Sequence, residues 1–421
     1  MRIAIVGGGV AGLTAAWLLS EEHDVVLFEK QERLGGHAHT LDVELPGERV
    51  AVDGGFEFFS AVMFPTFMRL LDLLRVPLRQ YPITATLYST DNRYVALLPP
   101  LRNGRAPWPA LGPRQVVDMA QFAYVLHRAG RLMQAPDPSI SLEQFLNSLP
   151  LTRAFRQRFM YPFVLAGWCV EPDEHRQFSA YDVLKYYYLH RTANLSPFTL
   201  TEVVDGTRTY VNALARDSAR ASLKTSAAIC GLRRRGATYQ LETEDGQRAE
   251  FDTLVLATNA RQAAQLLAET EGTEAVRQQL SQIEYFKTTI AVHGDARLMP
   301  ADRRHWSVVN IRHDGRHSSN TVWKGWRSRT LVFKSWVTYE AHLPAPLYGL
   351  ATYDHPKVNA RYFEAQRNLL RGQGQDRLWL AGMYMHDVDC HESAILSAVN
   401  VARQLAPRSA RLAQLVGQQP D

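Results

Sequence analysis

The first thirty residues group into short apolar runs separated by a glycine-rich turn. Residues Arg2–Val6 are apolar after the arginine, which is typical of a central parallel strand buried on both faces. Gly7–Gly12 predicts a turn, Leu13–Ser20 has a helical pattern, and Asp24–Glu29 predicts a second strand. The chain therefore begins with a predicted βαβ unit.

Two later segments repeat the order of strand, turn and helix. Phe251–Ala257 predicts a strand followed by a helix that ends at Leu267, and Arg377–Gly382 predicts a strand followed by a helix over Ser393–Leu405. We expect these pieces to assemble with the N-terminus into one discontinuous nucleotide-binding domain. Its predicted segments are residues 1–60, 201–280 and 375–410.

The intervening segments have a different character, and we expect them to form one substrate-binding domain from residues 61–200 and 281–374. The first contains helical patterns at Phe67–Leu74 and Val116–Leu132. The second predicts strands at Thr288–His293, Trp306–Ile311 and Thr330–Thr338. We expect residues 411–421 to be a loose tail.

Composition agrees with a folded protein of two domains. Of 421 residues, 46% are hydrophobic and 21% are charged, and the net charge of +5 is a modest excess. The three cysteines are widely separated and show no disulfide or metal-binding spacing, which favours a reducing, cytoplasmic location. No apolar run is long enough to span a bilayer, and no nucleic-acid-binding module is recognisable.

The turn after the first strand fits the pattern G-x-G-x-x-G through Gly7, Gly9 and Gly12. The first glycine permits a tight turn, the second lets the backbone approach a pyrophosphate, and the third lets the helix pack close to the sheet. The N–H groups at the helix start, at Val10 and Ala11, would face the phosphates. Together with an acid at the end of the next strand, this predicts a dinucleotide site.

That acid is Glu29, which can bind the ribose hydroxyls, and the stretch after it suggests which dinucleotide is bound. Residues 32–40 read E-R-L-G-G-H-A-H-T and resemble the E-R-x-G-G-R-x-x-[ST] motif of the flavin-containing amine oxidase and phytoene desaturase superfamily. Asp53-Gly54-Gly55-Phe56 resembles the D-x-G-x element that follows it. The resemblance implies FAD as the cofactor. His37 occupies the position of the motif's arginine.

The resemblance also implies the fold class and the use of the C-terminal segment. It implies an α/β protein in which a Rossmann-type, p-hydroxybenzoate-hydroxylase-like FAD-binding domain carries an inserted α+β substrate domain. After Ala381-Gly382, a helix start near Ser393 would face the flavin, with Ser393 as its cap. Met383 stands where many members carry an acid. The predicted FAD-binding residues are Gly7, Gly9, Val10, Ala11, Gly12, Glu29, Lys30, Arg33, Gly35, Gly36, His37, Ala38, Gly54, Gly55, Phe56, Ala227, Thr258, Gly382, Met383, Glu392, Ser393 and Ala394.

A narrower resemblance concerns the substrate. The segment from His293 to Pro300, Trp306 with Asn310, His355-Pro356 and His391-Glu392 resemble a branch of predicted NAD/FAD-binding proteins found beside cyclopropane-fatty-acyl-type methyltransferases. That branch includes desaturases and oxidases of methyl-branched fatty acyl chains. The resemblance implies a lipid acyl substrate. Our hypothesis for its reaction is that flavin N5 takes a hydride from the substrate and that oxygen or a quinone reoxidises the flavin.

Four residues are candidates for catalysis. Glu57 lies among aromatic residues, where burial would raise its pKa and suit it to act as a base, although strand alternation also allows an exposed position. His39 follows the paired glycines, and His355 could line the pocket. Lys334 is a candidate for the lysine that many amine oxidases place opposite N5, or else a solvated strand residue.

Contact with an anionic membrane is a further expectation. Arginines lie beside tryptophans between Arg312 and Arg329, and Val116–Leu132 could lie on a bilayer. The alternative is a solvated hairpin and a packed core helix. Two other functions stay open, a soluble flavin amine oxidase and a non-redox FAD-binding scaffold. No metal site or hydrolase nucleophile motif is present.

Overall fold

The computed structural model describes residues 1–100, 112–191 and 197–417. The strands are β1 Arg2–Val6, β2 Asp24–Phe28, β3 Thr40–Leu45, β4 Glu48–Asp53, β5 Leu78–Pro82, β6 Ala85–Ser89, β7 Val95–Leu98, β8 Thr199–Val203, β9 Ser222–Lys224, β10 Ile229–Arg235, β11 Thr238–Thr243, β12 Arg248–Phe251, β13 Thr253–Leu256, β14 Tyr285–His293, β15 Val309–His313, β16 Ser318–Trp323, β17 Phe333–Trp336, β18 Leu347–Pro356 and β19 Leu378–Leu380. The α-helices are α1 Val10–Leu19, α2 Pro65–Leu73, α3 Pro113–Gln134, α4 Leu142–Asn147, α5 Arg153–Phe155, α6 Tyr161–Trp168, α7 Pro172–Arg176, α8 Ala180–Leu189, α9 Arg208–Asp217, α10 Ala260–Leu266, α11 Glu274–Ser281, α12 Ala360–Arg371, α13 His391–Leu405 and α14 Ala410–Val416.

A parallel sheet of five strands, in the order β19-β13-β1-β2-β9, forms the first domain. Ile3 in β1 pairs with Val25 on one side and Thr253 on the other, so strands distant in sequence share the sheet. Strands from three separated segments of the chain therefore form one parallel sheet. Every residue of α1 is buried, because the helix is apolar all round and packs between the sheet and α13.

The second domain is built on a seven-stranded mixed sheet in the order β18-β14-β17-β16-β15-β6-β7. Only the pair β15 and β6 is parallel, and the other neighbours are antiparallel. Helix α6 packs on β15 and β16, and α3 packs on α8. Two of the predicted strands are shorter than expected, since β15 begins at Val309 and β17 spans only Phe333–Trp336.

Two helices pack differently from the predicted division of the chain. Helix α2, within the segment assigned to the substrate domain, buries Phe67, Leu70 and Leu71 in the same core as α1 and α13. Helix α12 packs against α11 of the nucleotide-binding side. Helix α12 also contacts the other domain, since its Phe363 packs against Tyr181 of α8.

The prediction of a loose C-terminal tail is wrong up to Gly417. Ser409 caps α14 by accepting the N–H of Leu412, and Leu412 and Leu415 are buried with α1 and α2. Residues 418–421 lie outside the described residues. No helix of the described part of the chain combines the length and apolar character needed to span a bilayer.

The basic and aromatic segment that was expected to face a membrane is largely engaged inside the protein. Arg312 pairs with Glu340, and Arg327 pairs with the buried Glu57 at 3.1 Å. The ring of Trp323 packs edge-on against Trp306, with centroids 5.1 Å apart. These side chains are therefore occupied by contacts within the protein.

Candidate functional site

A cavity of about 680 Å³ opens at the carboxyl ends of β1, β2, β13 and β19. This is where α/β proteins of this topology bind nucleotides, and the volume lies in the range of small-molecule sites. Fifteen of the predicted FAD-binding residues line it. They are Gly7, Gly9, Val10, Ala11, Glu29, Lys30, Arg33, Gly35, Gly36, His37, Ala227, Thr258, Gly382, Met383 and Ala394.

The three motif glycines have different roles, and one of them borders open space. Gly7 has a φ of +111°, and a Cβ there would lie 2.6 Å from the carbonyl oxygen of Ala257. A Cβ on Gly12 would lie 1.9 Å from the Gly7 oxygen, so Gly12 permits close packing of helix on strand without lining the cavity. A Cβ on Gly9 would meet no atom of the described residues within 4 Å. The space beside Gly9 is therefore available to a ligand.

The N-terminus of α1 is free to bind an anion. Its N-cap, Gly9, forms no side-chain cap, and the first turn carries no acidic residue. The N–H groups of Val10 and Ala11 begin the helix and border the cavity. Uncapped N–H groups and the positive end of the helix dipole together make a phosphate site.

Glu29 and the second glycine pair complete this end of the cavity. The Glu29 carboxylate accepts the N–H of Gly8 at 2.6 Å, which holds it at the cavity edge, where it can receive ribose hydroxyls. The N–H of Gly35 donates to Gly8 O at 2.8 Å, and a Cβ on Gly36 would lie 3.1 Å from Gly9 Cα. Arg33 supplies a cation beside them and donates to Gly36 O at 3.0 Å.

The inner end of the cavity is lined by His37, Tyr353, Met383 and His391. The ring of His37 packs edge-on against Tyr353, with centroids 5.1 Å apart. Burial lowers the pKa of His37 to about 4, so the imidazole is neutral where the family motif carries a cationic arginine.

His39 and His355 lie close to the inner end of the cofactor cavity, behind the side chains that line it. His39 Nδ1 lies 3.0 Å from the Tyr353 hydroxyl, and burial lowers its pKa to about 4. His355 packs against His37, and burial lowers its pKa to about 3. Neither residue lines the cavity, which leaves them as supports for His37 and Tyr353.

The segment Gly54–Phe56 lies outside the cofactor cavity and contacts the backbone of residues 37–39, which forms part of the cavity wall. The N–H of Phe56 donates to His37 O at 2.9 Å, and a Cβ on Gly55 would lie 2.0 Å from that oxygen. Gly54 N–H donates to His39 O at 2.8 Å, and Ala38 is buried in the core. These four residues shape the cavity through the backbone of residues 37–39 instead of lining it.

The start of α13 differs from the prediction. The helix begins at His391 with Cys390 as its N-cap, so Ser393 is not the cap and its hydroxyl contacts Cys390 Sγ. The Glu392 carboxylate accepts the N–H groups of Thr66 at 2.8 Å and Phe67 at 2.9 Å. These N–H groups at the start of α2 have no partner within the helix. Their hydrogen bonds hold the Glu392 side chain away from the cofactor cavity.

The expectation of a raised pKa at Glu57 is wrong. Its side chain is buried and pairs with Lys324 at 2.7 Å, Lys334 at 2.8 Å and Arg327 at 3.1 Å. Burial alone would raise the pKa of Glu57, but the three cations bring it well below the ordinary value. Glu57 is therefore an ionised structural partner, and it lines neither cavity.

Lys334 is part of the same buried cluster, which also contains Glu202. Its ammonium donates to Glu57 and to Gly55 O at 3.1 Å, and burial lowers its pKa. The solvated-strand alternative is therefore wrong. Lys334 does not reach the lining of the cofactor cavity, and its contact with Gly55 positions the backbone next to that wall.

A second cavity of about 1030 Å³ lies in the other domain and is mainly apolar. Helices α3, α6 and α8 and the seven-stranded sheet supply its walls, with side chains such as Met119, Phe122, Leu126, Phe163, Tyr187 and Trp336. His391 lines both cavities, and Phe56 lines the apolar one. The two spaces therefore meet at Phe56 and His391.

The residues present fit FAD, on the evidence of the open space beside Gly9 and the uncapped N-terminus of α1. The sequence did not single out Tyr353 or His391 as lining residues, because each comes from a segment far from the glycine motif. The position of His391 at the start of α13, the helix that follows β19 in the chain, was the available signal. No cluster of metal-binding side chains exists among residues 1–100, 112–191 and 197–417.

The family model for flavin-containing amine oxidoreductases matches residues 10–295 of this chain. A solved structure of a fatty acid isomerase that produces conjugated linoleic acid, from P. acnes, is similar with a TM-score of 0.70 at 15% identity, over 96% of this chain and 98% of that one. A cyclohexylamine oxidase from Brevibacterium oxydans is similar with a TM-score of 0.67 at 14% identity, over 96% and 99%. At identities this low, the structural similarity shows a shared fold alone.

A curated relative matches only a short stretch. An uncharacterized protein of Methanocaldococcus jannaschii is 54% identical over 44 residues, which is 10% of this chain and 11% of the relative.

Proposed function

This chain belongs to the family of flavin-containing amine oxidoreductases and uses FAD, and from that premise we propose that it desaturates or oxidises a fatty acyl chain. The observation that carries the proposal is the apolar cavity of about 1030 Å³, which meets the cofactor cavity at Phe56 and His391. A substrate in it would reach the cofactor with its chain surrounded by aromatic and aliphatic side chains.

The size and lining of this cavity favour a long chain over a small polar substrate. Each buried methylene contributes about 0.8 kcal/mol, or roughly a fourfold gain in affinity. Because the apolar lining extends along α3, α6 and α8, successive methylenes can add to that gain. A fatty acid isomerase shares this fold, which is compatible with the proposal.

The chain's own residues hold the cofactor and keep water from the reacting carbon. The N–H groups of Val10 and Ala11 would bind the pyrophosphate, Glu29 the ribose, and Arg33 a phosphate oxygen. Bound FAD supplies a two-electron acceptor for hydride. The neutral imidazole of His391 would lie between the cofactor and the substrate chain, and the apolar walls of the second cavity would exclude water from that chain.

The experiment is anaerobic reduction of the FAD-loaded protein by substrates of graded chain length. Fatty acids and acyl thioesters are compared with short amines, and the flavin absorbance is followed. We expect bleaching with long acyl chains, with Kd falling about fourfold for each added methylene. Bleaching by short amines alone would overturn the acyl proposal, and bleaching by none of them would indicate a non-redox scaffold.

A second candidate, oxidation of a long-chain amine, is favoured by one observation. Asp182 and Asp389 both line the apolar cavity, and a protonated amine could neutralise them. Alkylamines with the same chain lengths as the fatty acids are therefore included in the same assay. Faster bleaching by the amine of each matched pair would select this function.

Delivery of the acyl chain from an anionic membrane is part of the proposal. Val116 and Val117, near the start of α3, are each 53% exposed, and the same helix lines the cavity through Met119, Phe122 and Leu126. A helix that is apolar at an exposed end can rest on a bilayer surface. Cosedimentation with vesicles of anionic phospholipid, lost in a double Val116→Ser, Val117→Ser variant, is the expected result. Equal sedimentation with neutral vesicles would contradict it.

A further inference from the structure

Two aspartates from distant parts of the chain meet in the apolar cavity. Asp182 lies in the first turn of α8, and Asp389 lies two residues before α13 begins at His391. Asp182 Oδ1 accepts the backbone N–H of Asp389 at 3.1 Å, and both residues line the cavity. The other carboxylate oxygen of Asp182, Oδ2, is buried without a hydrogen-bond partner in a residue that is only 6% exposed.

This carboxylate pair has no cation of its own among the described residues. The nearby Lys185 forms an ion pair with Asp387, and the Tyr181 hydroxyl also donates to Asp387. The side-chain oxygens of Asp389 receive no hydrogen bond from the described part of the chain. An unpaired buried carboxyl group is costly unless it is neutral or meets a donor, and the open direction is the cavity.

The groups around the pair raise its affinity for a proton. Burial raises the pKa of Asp389 to about 7. Burial, then the charge of Asp389 and that of Asp387, raise the pKa of Asp182, and Lys185 opposes them. Tyr285, Tyr362 and Cys390 face Asp389 from the elements packed against it, and none of them is a cation. The carboxyl groups of the buried Asp182 and the partly exposed Asp389 therefore both bind protons more readily than ordinary aspartates.

We propose that Asp182 and Asp389 accept the proton that the substrate loses when it is oxidised. The proposal rests on the proposed function. In the acyl reaction, two C–H bonds break and one C=C bond forms at an activated α or allylic position. One hydrogen leaves as hydride with both electrons to FAD, and the other leaves as a proton to the Asp389 carboxylate. Oxygen or a quinone later reoxidises the reduced cofactor.

Two of the three histidines that line the same cavity, His391 and His190, are poorly suited to this role. His391 is held by the Tyr210 hydroxyl at 2.9 Å, and burial lowers its pKa to about 3. His190 has both ring nitrogens engaged, by Ser60 and by the Tyr186 carbonyl, and burial lowers its pKa to about 4. A base with a pKa near the working pH transfers protons most effectively, and the aspartate pair meets that condition.

The first test measures the proton itself, without cofactor or substrate. Proton binding between pH 5 and pH 9 is compared by potentiometric titration for the wild type, Asp389→Asn and the surface control Asp72→Asn. We expect one group titrating near pH 7 to be missing from Asp389→Asn alone. Identical curves for all three proteins would overturn the proposal.

The second test measures the rate of flavin reduction against pH with an acyl chain that reduces the wild type. Asp389→Asn is expected to slow reduction at least about 100-fold with the substrate Kd within about threefold, because general base catalysis contributes about 10²- to 10⁴-fold. Asp389→Glu is expected to restore part of the rate.

The outcomes separate the two proposals. An Asp389→Asn protein that is reduced at the wild-type rate, with the same pH profile, overturns the proton-accepting role and leaves the proposed function intact. A wild-type protein that no acyl chain or alkylamine reduces overturns the proposed function, and the role in oxidation fails with it.

Discussion

The imidazole of His391 lies flat on the ring of Phe56, with the centroids 3.9 Å apart and the planes inclined by 4°. His391 lines both cavities, and Phe56 lines only the apolar one. Since burial lowers the pKa of His391 to about 3, the stack joins two neutral rings and not a cation with an aromatic face. A substrate chain in the apolar cavity would meet the cofactor beside this pair of rings.

Replacing His391 by phenylalanine should keep the stack and remove one hydrogen bond. The Tyr210 hydroxyl, 2.9 Å from His391 Nε2, would lose its partner in the core. We expect the free energy of unfolding to fall by about 1–3 kcal/mol, measured by denaturant titration. The control is Tyr210→Phe combined with His391→Phe, which should recover part of that loss. Additive losses in the double variant would contradict the assignment.

Gly9→Ala should separate cofactor binding from folding. The new Cβ meets no atom of the described residues within 4 Å, and the φ of −70° suits alanine. Stability of the cofactor-free protein should therefore stay within about 0.5 kcal/mol, whereas the Kd for FAD should rise at least about tenfold because the Cβ takes up space beside the helix N-terminus. FAD binding is measured by fluorescence quenching.

The matched variant for this comparison is Gly12→Ala. Its Cβ would lie 1.9 Å from the Gly7 oxygen, so it should destabilise the cofactor-free fold itself. A Gly9→Ala protein that binds FAD like the wild type would show that the open space is not the pyrophosphate site.

Glu57→Gln should act on stability and not on proton transfer. The variant lacks the negative charge that Lys324 and Lys334 face in the core. We therefore expect the free energy of unfolding to fall by about 3–5 kcal/mol near pH 7. The folded-state pKa of Glu57 is lowered, so its stabilising contribution is complete above about pH 4.5 and is lost as the pH falls below that value. The difference in unfolding free energy between wild type and variant should therefore narrow in acid.

An exposed glutamate provides the control for Glu57. Glu44 pairs with Arg49 at 3.1 Å with its side chain 73% exposed, and Glu44→Gln should change stability by less than about 1 kcal/mol. A Glu57→Gln protein of wild-type stability whose flavin is no longer reduced would instead support the catalytic role.

Gly167→Leu should shorten the substrate chain that the protein accepts. Gly167 lies in α6 and lines the apolar cavity, where an added Cβ would meet only the Tyr187 hydroxyl, at 3.9 Å. The leucine would therefore extend into the cavity without displacing packed atoms, and each excluded methylene should weaken binding about fourfold. Gly167→Ala, with one methyl group, should show a smaller shift in the same anaerobic assay. An unchanged chain-length preference in both variants would place the substrate elsewhere.

The nucleotide-binding part could be predicted because its determinants are local in sequence. A strand, a glycine turn, a helix and an acid follow one another between Arg2 and Glu29, and each element depends mainly on its neighbours. The two later strands were visible as apolar runs, and the structure pairs both into the same sheet.

The direction of individual side chains could not be predicted in this way. Glu57 follows a flavin-associated motif, yet its environment is set by Lys324, Arg327 and Lys334, about 270 residues later in the chain. Glu392 is close to the cavity in sequence, but the free N–H groups of α2 determine where its carboxylate lies. Alternation and motif spacing contain no information about such partners.

The glycine spacing, the apolar strands and the acid at Glu29 were sufficient by themselves to indicate a dinucleotide fold, because backbone conformation and helix polarity depend on adjacent residues. Only the tertiary structure decided which carboxylates are paired with cations and which line the apolar cavity. Glu57 is surrounded by three cations, while Asp182 and Asp389, separated by 207 residues, line an apolar cavity and form no ion pair with a described residue. Charge state depends on what folding brings within a few ångströms, and that proximity is not present in the order of residues.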